Sequence, residues 1–352
     1  MDILILGATG LSGTAVTNEA LARGHRVVAV HRGGSNTLAG RTDPGLTQVV
    51  HDRAGGHAAL AAQAPFDAVI DVSARIPAYV VDAIRELDTP GMRWVLYSSV
   101  SAYADLSRGP DEDAPLTEFE DPALEQALSA DLCHAFSYDW YAAAKTTCER
   151  QLIERVGQER AFIMRPGLIT GWHDGTRRAT YWVERLARAG EALAPPAEDA
   201  VQVLDARDLA AFALDSVEQG IVGTYNTAPI AGSTTVGDLI AAAGDAVRAT
   251  GREPAPVHHA TAQQLAEHGV EEWSDMPAWL PVAGEFVGMV TADTSRAHAA
   301  GYRTRPIAET MEWVLKWLDS GDVGASRLAA ATSGLHPARE REVLAALSGV
   351  SA

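Results

Sequence analysis

The sequence predicts an α/β fold built on a doubly wound parallel sheet, and three observations support this prediction. Short apolar runs alternate with helix-like segments through the first half of the chain. The first of these runs, residues 3–6, ends at Gly7 and passes directly into a glycine-rich turn. The length of 352 residues exceeds one average domain, which leaves room for a second lobe.

The first turn carries a glycine at every third position, and a helix-like pattern follows until Gly24. Glycines let the backbone approach a pyrophosphate, and the N–H groups that open a helix face the anion. Strand, glycine loop and helix therefore predict a Rossmann-type dinucleotide site, although tight strand-to-helix packing alone would also use glycines. The predicted contacts in this loop are Gly7, Thr9, Gly10, Leu11, Ser12 and Gly13.

The second predicted strand ends at His31 and Arg32, beside the expected position of the adenosine ribose. A fold that takes NAD usually has an acidic residue here, whereas a cation favours the 2′-phosphate of NADP. These two residues therefore favour NADP over NAD as the cofactor. The alternative interpretation of Arg32 is a solvated charge at a strand end.

The alternation continues through predicted strands at residues 47–51, 66–74, 93–99 and 160–165. Such alternation predicts a sheet covered by helices on both faces, with the ligand at the carboxyl ends of the strands. Further cofactor contacts are predicted at these ends: Asp52, Arg53, Ser73, Ala74, Pro166 and Gly167.

Two later segments complete this half of the chain. Residues 104–130 are acidic and turn-rich, which predicts a surface excursion that borders a substrate cleft or is merely solvated. The alanine-rich segment that follows predicts a helix with Tyr141 and Lys145 four positions apart on one face.

The chain resembles the extended short-chain dehydrogenases/reductases, the NAD-dependent epimerase/dehydratase group, over about residues 1–228. The segment 293–317 is also similar to the C-terminal part of that family. The resemblance rests on five motifs in the family's order: Gly7-x-x-Gly10-x-x-Gly13, the strand end 98–103, Tyr141-x-x-x-Lys145, Arg165-Pro166-Gly167 and Asp205-x-x-Asp208-Leu209.

The resemblance implies that Tyr141 is the catalytic acid/base, that Lys145 contacts the nicotinamide ribose, and that Ser99 is their hydroxyl partner. The chemistry agrees with these roles. A phenol titrates near about 10, so a neighbouring ammonium is needed to stabilise the phenolate at neutral pH. An ordinary amphipathic contact is the alternative for a tyrosine and a lysine at this spacing alone.

Two positions depart from the sugar-nucleotide members of the family. An arginine that grips the nucleotide diphosphate is replaced by Val201, and an asparagine after the Arg-Pro pair is replaced by Leu168. Both differences argue against a nucleotide-sugar substrate. They favour an uncharged or modestly polar carbonyl compound.

The predicted dinucleotide-binding lobe comprises residues 1–167 and 201–228, and a smaller, discontinuous C-terminal substrate lobe comprises 168–200 and 229–320. Residues 321–352 form a tail with a short helix at 337–347. Aromatic residues in the second lobe either line an apolar pocket or form its core: Trp172, Tyr181, Trp182, Trp273, Trp279 and Phe286.

Composition excludes several function classes. The 28 Lys and Arg against 46 Asp and Glu give a net charge of −18, which disfavours nucleic acid and anionic membranes as partners. We expect no membrane span, because no apolar segment is long enough, and no signal peptide, because the N-terminal apolar run belongs to the first predicted strand. Cys133 and Cys148 are too few for a disulfide framework. A cytoplasmic protein is expected. No histidine or cysteine spacing matches a metal site.

Together these inferences predict an NADP(H)-dependent oxidoreductase that interconverts a carbonyl and an alcohol on a small organic substrate. One alternative is an epimerase or dehydratase of a non-nucleotide substrate. The other is a non-enzymatic regulator that senses a dinucleotide, against which the presence of Ser99, Tyr141 and Lys145 together argues. The family resemblance also implies a homodimer.

Overall fold

The structure is a computed structural model that describes residues 1–34, 36–130, 137–320 and 333–349. Cys133 and the first part of the predicted tail, 321–332, lie outside the described residues. Among the helices of the described ranges, none combines the length and the apolar character that crossing a membrane requires.

The order of elements in the described residues alternates strands and helices, as expected. The strands are β1 (Asp2–Leu6), β2 (Arg26–His31), β3 (Leu46–Val50), β4 (Ala68–Asp71), β5 (Arg93–Tyr97), β6 (Ala161–Pro166), β7 (Leu168–Thr170), β8 (Ala192–Ala194), β9 (Val203–Asp205), β10 (Gly223–Thr227) and β11 (Val257–His259). The helices are α1 (Leu11–Ala22), α2 (Ala58–Ala61), α3 (Pro77–Leu87), α4 (Pro122–Ala130), α5 (Tyr141–Val156), α6 (Arg178–Leu186), α7 (Ala206–Gln219), α8 (Val236–Ala249), α9 (Ala262–Glu267), α10 (Ser295–Ala299), α11 (Ile307–Asp319) and α12 (Pro337–Leu347).

Within the described residues, seven parallel strands form one sheet in the order β3–β2–β1–β4–β5–β6–β10. Strand β1 lies inside it, with Ile5 opposite Ala29 of β2 and Ile70 of β4. The chain therefore winds outward in both directions from the middle of the sheet. This arrangement confirms the doubly wound, Rossmann-type fold class, and it brings the loops that follow β1, β2, β4, β5 and β6 to one edge.

The side chains of β1 alternate between two halves of the core, because successive residues of a strand point to opposite faces. Ile3 and Ile5 pack with residues of α1 and α7 on one face. Leu4 and Leu6 pack with residues of α3 and α5 on the other face. All four side chains are fully buried. A strand buried on both faces explains why this segment is continuously apolar in the sequence.

A second lobe, defined here as α6, β8, α8, β11, α9, α11 and α12, has one shared hydrophobic cluster. Its two short strands pair in parallel, with Leu193 opposite His258. Helix α8 begins at a capping box, in which the Asp238 N–H donates to Thr235 Oγ1 at 3.2 Å and the Thr235 N–H donates to Asp238 Oδ2 at 2.9 Å.

The helix predicted at 337–347 is confirmed, with a proline in its first turn. Its Glu340 is only 3% exposed and forms an ion pair with Arg185 of α6 at 2.7 Å. Val343 and Leu344 enter the shared cluster of the second lobe. The C-terminal helix is therefore packed into this lobe, a role that the sequence left open.

The acidic segment 104–130 is not irregular throughout, because its last nine residues form α4. The segment begins this helix with Pro122 and places Glu125 in the first turn, and both are favourable at a helix N-terminus. Leu128 is 1% exposed and anchors the helix. Pro122, one of the prolines that predicted a loop here, is the first residue of this helix.

Candidate active site

The glycine loop after β1 is held by the neighbouring strand, since the N–H groups of Gly7 and Ala8 donate to Val30 O at 3.1 and 2.9 Å. A Cβ on Gly13 would lie 2.0 Å from Gly7 O, so no other residue fits there. Gly10 has a φ of +89° and no heavy atom within 4 Å of an added Cβ. The start of α1 therefore faces open space without a side-chain cap.

The other predicted loop residues share this position. Thr9, Leu11 and Ser12 are half-buried at the start of α1. The Gly10 N–H points toward Thr37 Oγ1 at 3.4 Å, which is a long contact and leaves the loop amides available. Backbone N–H groups at an uncapped helix start provide the geometry that binds a pyrophosphate.

The two residues at the end of β2 differ in burial. His31 is 4% exposed, and its Nδ1 accepts a hydrogen bond from the Gly33 N–H at 3.1 Å. Its Nε2 is buried and has no hydrogen-bond partner within the part of the chain that the structure describes. Arg32 is exposed, and no ion pair to it is formed among the same residues. The strand end thus presents one orphaned ring nitrogen and one available cation.

The loops after β3 and β4 are joined by a buried ion pair. Arg53 is 7% exposed and lies 2.8 Å from Asp71, and its Nη1 also donates to Ser73 Oγ at 2.9 Å. Asp52 is exposed and accepts a hydrogen bond from Ala54 N–H at 3.1 Å, while Ala74 is fully buried. The structure therefore directs Arg53 and Ser73 toward each other, which the sequence could not indicate.

Tyr141 and Lys145 lie one turn apart at the start of α5, with the Lys145 ammonium 5.7 Å from the centroid of the Tyr141 ring. Lys145 is 4% exposed, and its Nζ donates to Tyr97 O at 2.7 Å. Tyr97 ends β5, two residues before Ser99. This hydrogen bond fastens the first turn of α5 to the strand end that carries Ser99, so the three predicted catalytic residues are brought to one edge of the sheet.

Ser99 caps a short 3-10 helix at 100–102, and its Oγ accepts a hydrogen bond from the Ser101 N–H at 3.1 Å. The Oγ donates its own proton to Ser101 Oγ, also at 3.1 Å. Because Ser99 is only half-buried, that proton can turn to another oxygen at the loss of one weak hydrogen bond.

A buried polar network connects β6 and α5 next to the strand end that carries Ser99. Arg165 of β6 forms an ion pair with Glu149 of α5 at 2.6 Å, and it donates to the Tyr103 hydroxyl at 2.9 Å. Ser98 donates to the same glutamate. The Glu149 carboxylate raises the pKa of Arg165, and burial raises the pKa of Tyr103 to about 12. Every member of this network is satisfied, which fits a structural role.

Pro166 and Gly167 continue from this network at the end of β6. Pro166 is buried, and the Gly167 N–H donates to Thr227 O of β10 at 3.2 Å. An added Cβ on Gly167 would meet its nearest atoms at an ordinary 3.5 Å. These two residues join two strands at the edge where the loops meet.

A family model for the NAD dependent epimerase/dehydratase family matches residues 3–228, which is more than half of the chain. The chain belongs to this family. It is an enzyme of the extended short-chain dehydrogenase/reductase type, as its motifs implied. A search of curated protein sequences finds no match.

Solved structures of other members share the fold. The enzyme WbmH of Bordetella bronchiseptica, in complex with NAD+, has a TM-score of 0.65 at 16% identity and covers 92% of this chain and 99% of its own. UDP-glucose 4-epimerase of Thermus thermophilus has a TM-score of 0.60 at 16% identity, covering 91% and 100%. dTDP-glucose 4,6-dehydratase of Bacillus anthracis has a TM-score of 0.62 at 11% identity, covering 91% and 97%.

One residue of the second lobe, whose charge acts on Tyr141, was missed by sequence reasoning. Arg178, the first residue of α6, is half-buried, and its Cζ lies 4.8 Å from the centroid of the Trp273 ring. It is close enough to Tyr138 and Tyr141 to interact with them electrostatically. Burial lowers the pKa of Arg178. The adjacent pair of arginines at 177–178 was the only sign of it in the sequence.

The aromatic residues of the second lobe divide into core and surface. Tyr181, Trp182 and Trp279 are buried core residues, while Phe286 is 48% exposed. Trp172 stacks on Trp313 with centroids 5.7 Å apart, and both line a cavity of about 310 Å³ beside α1. That cavity does not include Ser99, Tyr141 or Lys145.

Across the residues that the structure describes, no group of three or more His, Cys, Asp or Glu is placed to hold a metal ion.

Proposed function

We propose that this enzyme is an NADP(H)-dependent oxidoreductase that interconverts a carbonyl and an alcohol on a small organic substrate. The observation that carries the proposal is the position of Tyr141 beside Lys145, which is hydrogen-bonded to the strand end that leads to Ser99. A bound nicotinamide would supply or accept the hydride in this reaction.

The residues at the strand ends fit a dinucleotide. The open space at Gly10 and the uncapped start of α1 suit a pyrophosphate. The exposed Arg32 and the orphaned Nε2 of His31 are donors suited to a 2′-phosphate, which favours NADP.

Asp52 and Ala74 remain proposed cofactor contacts. Arg53 is better assigned to positioning, because Asp71 and Ser73 hold its guanidinium.

Tyr141 would donate its hydroxyl proton to the carbonyl oxygen during reduction and would remove the proton from the alcohol during oxidation. The Lys145 ammonium offsets the negative charge that remains on the tyrosine after proton transfer. Ser99 would donate a hydrogen bond to the same substrate oxygen, in place of its contact with Ser101. These three groups together stabilise charge on the oxygen and on the phenol.

An epimerase or dehydratase is the second candidate, because the family match and the named structural neighbours include both activities. A nucleotide-sugar substrate is not proposed. Val201 and Leu168, the two positions where the sugar-nucleotide members have polar residues, are buried apolar side chains at 0% and 3% exposure. They offer no donor to a diphosphate.

Cofactor consumption tests the proposal. Purified protein is incubated with NADPH and a panel of aldehydes and ketones, and NADPH absorbance is compared with the amount of alcohol formed. A net reductase oxidises one NADPH for each alcohol. An epimerase or dehydratase leaves the NADPH concentration unchanged while its product accumulates, and that result would favour the second candidate.

Calorimetry with NADPH and NADH tests the cofactor preference. Arg32→Ala is expected to weaken NADPH binding selectively and to leave NADH binding unchanged, because only NADPH carries the 2′-phosphate. Arg155→Ala, an exposed arginine in the last turn of α5, serves as the matched control. Equal preference of the wild type for NADH would contradict the assignment of Arg32.

A further inference from the structure

Within the described ranges, the arginines that are almost fully buried are paired with carboxylates. Arg53, Arg165 and Arg185 are each less than a tenth exposed, and they lie 2.8, 2.6 and 2.7 Å from Asp71, Glu149 and Glu340 respectively. Pairing is expected, because an isolated charge loses its hydration when it is buried. Each of these arginines therefore has a structural explanation.

Arg178 has no such partner among the residues that the structure describes. Its side chain forms no hydrogen bond or ion pair there, and its guanidinium lies over the face of Trp273. A ring face attracts a cation but leaves the five N–H donors at the edge of the guanidinium unused. Arg178 is thus a half-buried cation with its hydrogen-bonding edge available.

Asp174, the carboxylate whose charge acts on Arg178, is already used by its own loop. Its Oδ1 accepts from the Thr176 N–H at 3.0 Å and from Thr176 Oγ1 at 2.5 Å, and its Oδ2 accepts from Thr170 Oγ1 at 3.1 Å. Burial raises the pKa of Asp174, which weakens it further as a counter-ion. It influences Arg178 only at a distance.

The backbone around Arg178 and Trp273 is also unusual. The non-glycine residues with a positive φ in the described ranges are His173, Arg177, Trp273 and Ala278, all in the two segments that form this contact. Such conformations cost free energy, and they concentrate at sites that hold a ligand. Trp273, with a φ of +62°, lies under the guanidinium.

We propose that Arg178 binds an anionic group, a carboxylate or a phosphate, on the substrate whose oxygen receives the Tyr141 proton. The inference rests on the proposed function and deepens it, because it changes the substrate class from an uncharged carbonyl compound to a small anionic one. The charges of Arg178 and Lys145 both act on Tyr141, and an anionic group on the substrate would give Arg178 the charge partner that it lacks among the described residues. A planar guanidinium binds carboxylate and phosphate oxygens with two parallel hydrogen bonds.

Binding of simple anions tests the site without requiring turnover. The full chain, loaded with NADPH, is titrated with benzoate and separately with inorganic phosphate, so that the two arms distinguish a carboxylate from a phosphate. Wild type is expected to bind one of them at least about 10-fold more tightly than Arg178→Gln, since a charge-assisted bond is lost. Arg188→Gln, an exposed arginine just beyond α6, is the matched control. Failure of wild type to bind either anion, or equal binding by Arg178→Gln, overturns the proposal.

Turnover provides the second readout. The probes are 4-carboxybenzaldehyde and its methyl ester, which differ in the negative charge and in one methyl group. Arg178→Gln is expected to reduce kcat/KM for the acid by about 10- to 100-fold, mainly through KM, and to leave the ester unaffected. Arg178→Lys should restore part of the loss.

An equal loss for acid and ester overturns the proposal, even though NADPH oxidation continues. If wild type reduces neither aldehyde, the proposed function fails on these probes and anion binding decides the role of Arg178.

Discussion

Arg165 in the first lobe and Arg178 in the second lobe are both withdrawn from solvent, yet their surroundings are opposite. Arg165 has Glu149, Tyr103 and a backbone carbonyl as acceptors, and its pKa is raised. Arg178 has an aromatic face and no described acceptor, and its pKa is lowered. The first arginine stabilises the fold. The second has no carboxylate partner among the described residues, which is typical of a residue kept for binding.

The largest expected effect comes from removing the partner of Arg165. Glu149→Gln leaves a buried guanidinium without its charge partner, so the free energy of unfolding should fall by about 3–5 kcal/mol. Urea denaturation measures this change. Glu154→Gln is the control, because Glu154 is exposed on the same helix and lies 3.9 Å from Arg150, and its expected change is below about 0.5 kcal/mol. Equal unfolding midpoints for the two variants would show that the network is not structural.

The adjacent residues Ser98 and Ser99 allow the same comparison between a side chain that stabilises the fold and one that would bind the substrate. Ser98 is 4% exposed and donates to Glu149, so Ser98→Ala should lower stability by about 1–3 kcal/mol through loss of a bond to a charged group. Ser99→Ala should instead reduce kcat by about 100-fold or more, because its Oγ would bind the substrate oxygen, and should lower stability by no more than about 1 kcal/mol through the lost cap. The pair of variants is compared by thermal denaturation and by NADPH oxidation. A swap of these two outcomes would contradict the assignment.

The smallest expected effect is on the stability of the Arg178→Gln variant. Because no carboxylate offsets the charge, its removal should leave the free energy of unfolding within about 1 kcal/mol of wild type, and any change should be an increase. Chemical denaturation without added anions measures this directly. A loss comparable to that of Glu149→Gln would mean that Arg178 is held by a structural partner and would remove the contrast between the two arginines.

Much of the fold could be predicted from the sequence because parallel strands leave a strong local signal. Residues 3–6 are apolar and end at a glycine, which fits a strand buried on both faces. The helix at Pro337–Leu347 was also predictable, since a proline opens it. Helix α4 was not expected, because Pro122 and its acidic neighbours occur both in loops and at the first turn of a helix.

Contacts within the candidate site could be predicted only between residues that are close together in the sequence. Tyr141 and Lys145 lie one helical turn apart, so their proximity follows from the helix itself. The pairing of Arg53 with Asp71, and of Arg165 with Glu149, depends on how separate elements pack, and no short-range pattern encodes it. The absence of a carboxylate beside Arg178 is a tertiary property of the same kind, which the charge count of the sequence could not reveal.

The most direct test of the central claim is the rate of NADPH oxidation by Tyr141→Phe with an accepted aldehyde. Loss of the phenolic proton should lower kcat by about 100- to 10,000-fold, while the NADPH dissociation constant and the melting temperature stay at wild-type values. Tyr138→Phe is the matched control, because Tyr138 is 83% exposed and its ring centroid lies 6.4 Å from that of Tyr141. Wild-type turnover by Tyr141→Phe would contradict the assignment of Tyr141 as the catalytic acid/base.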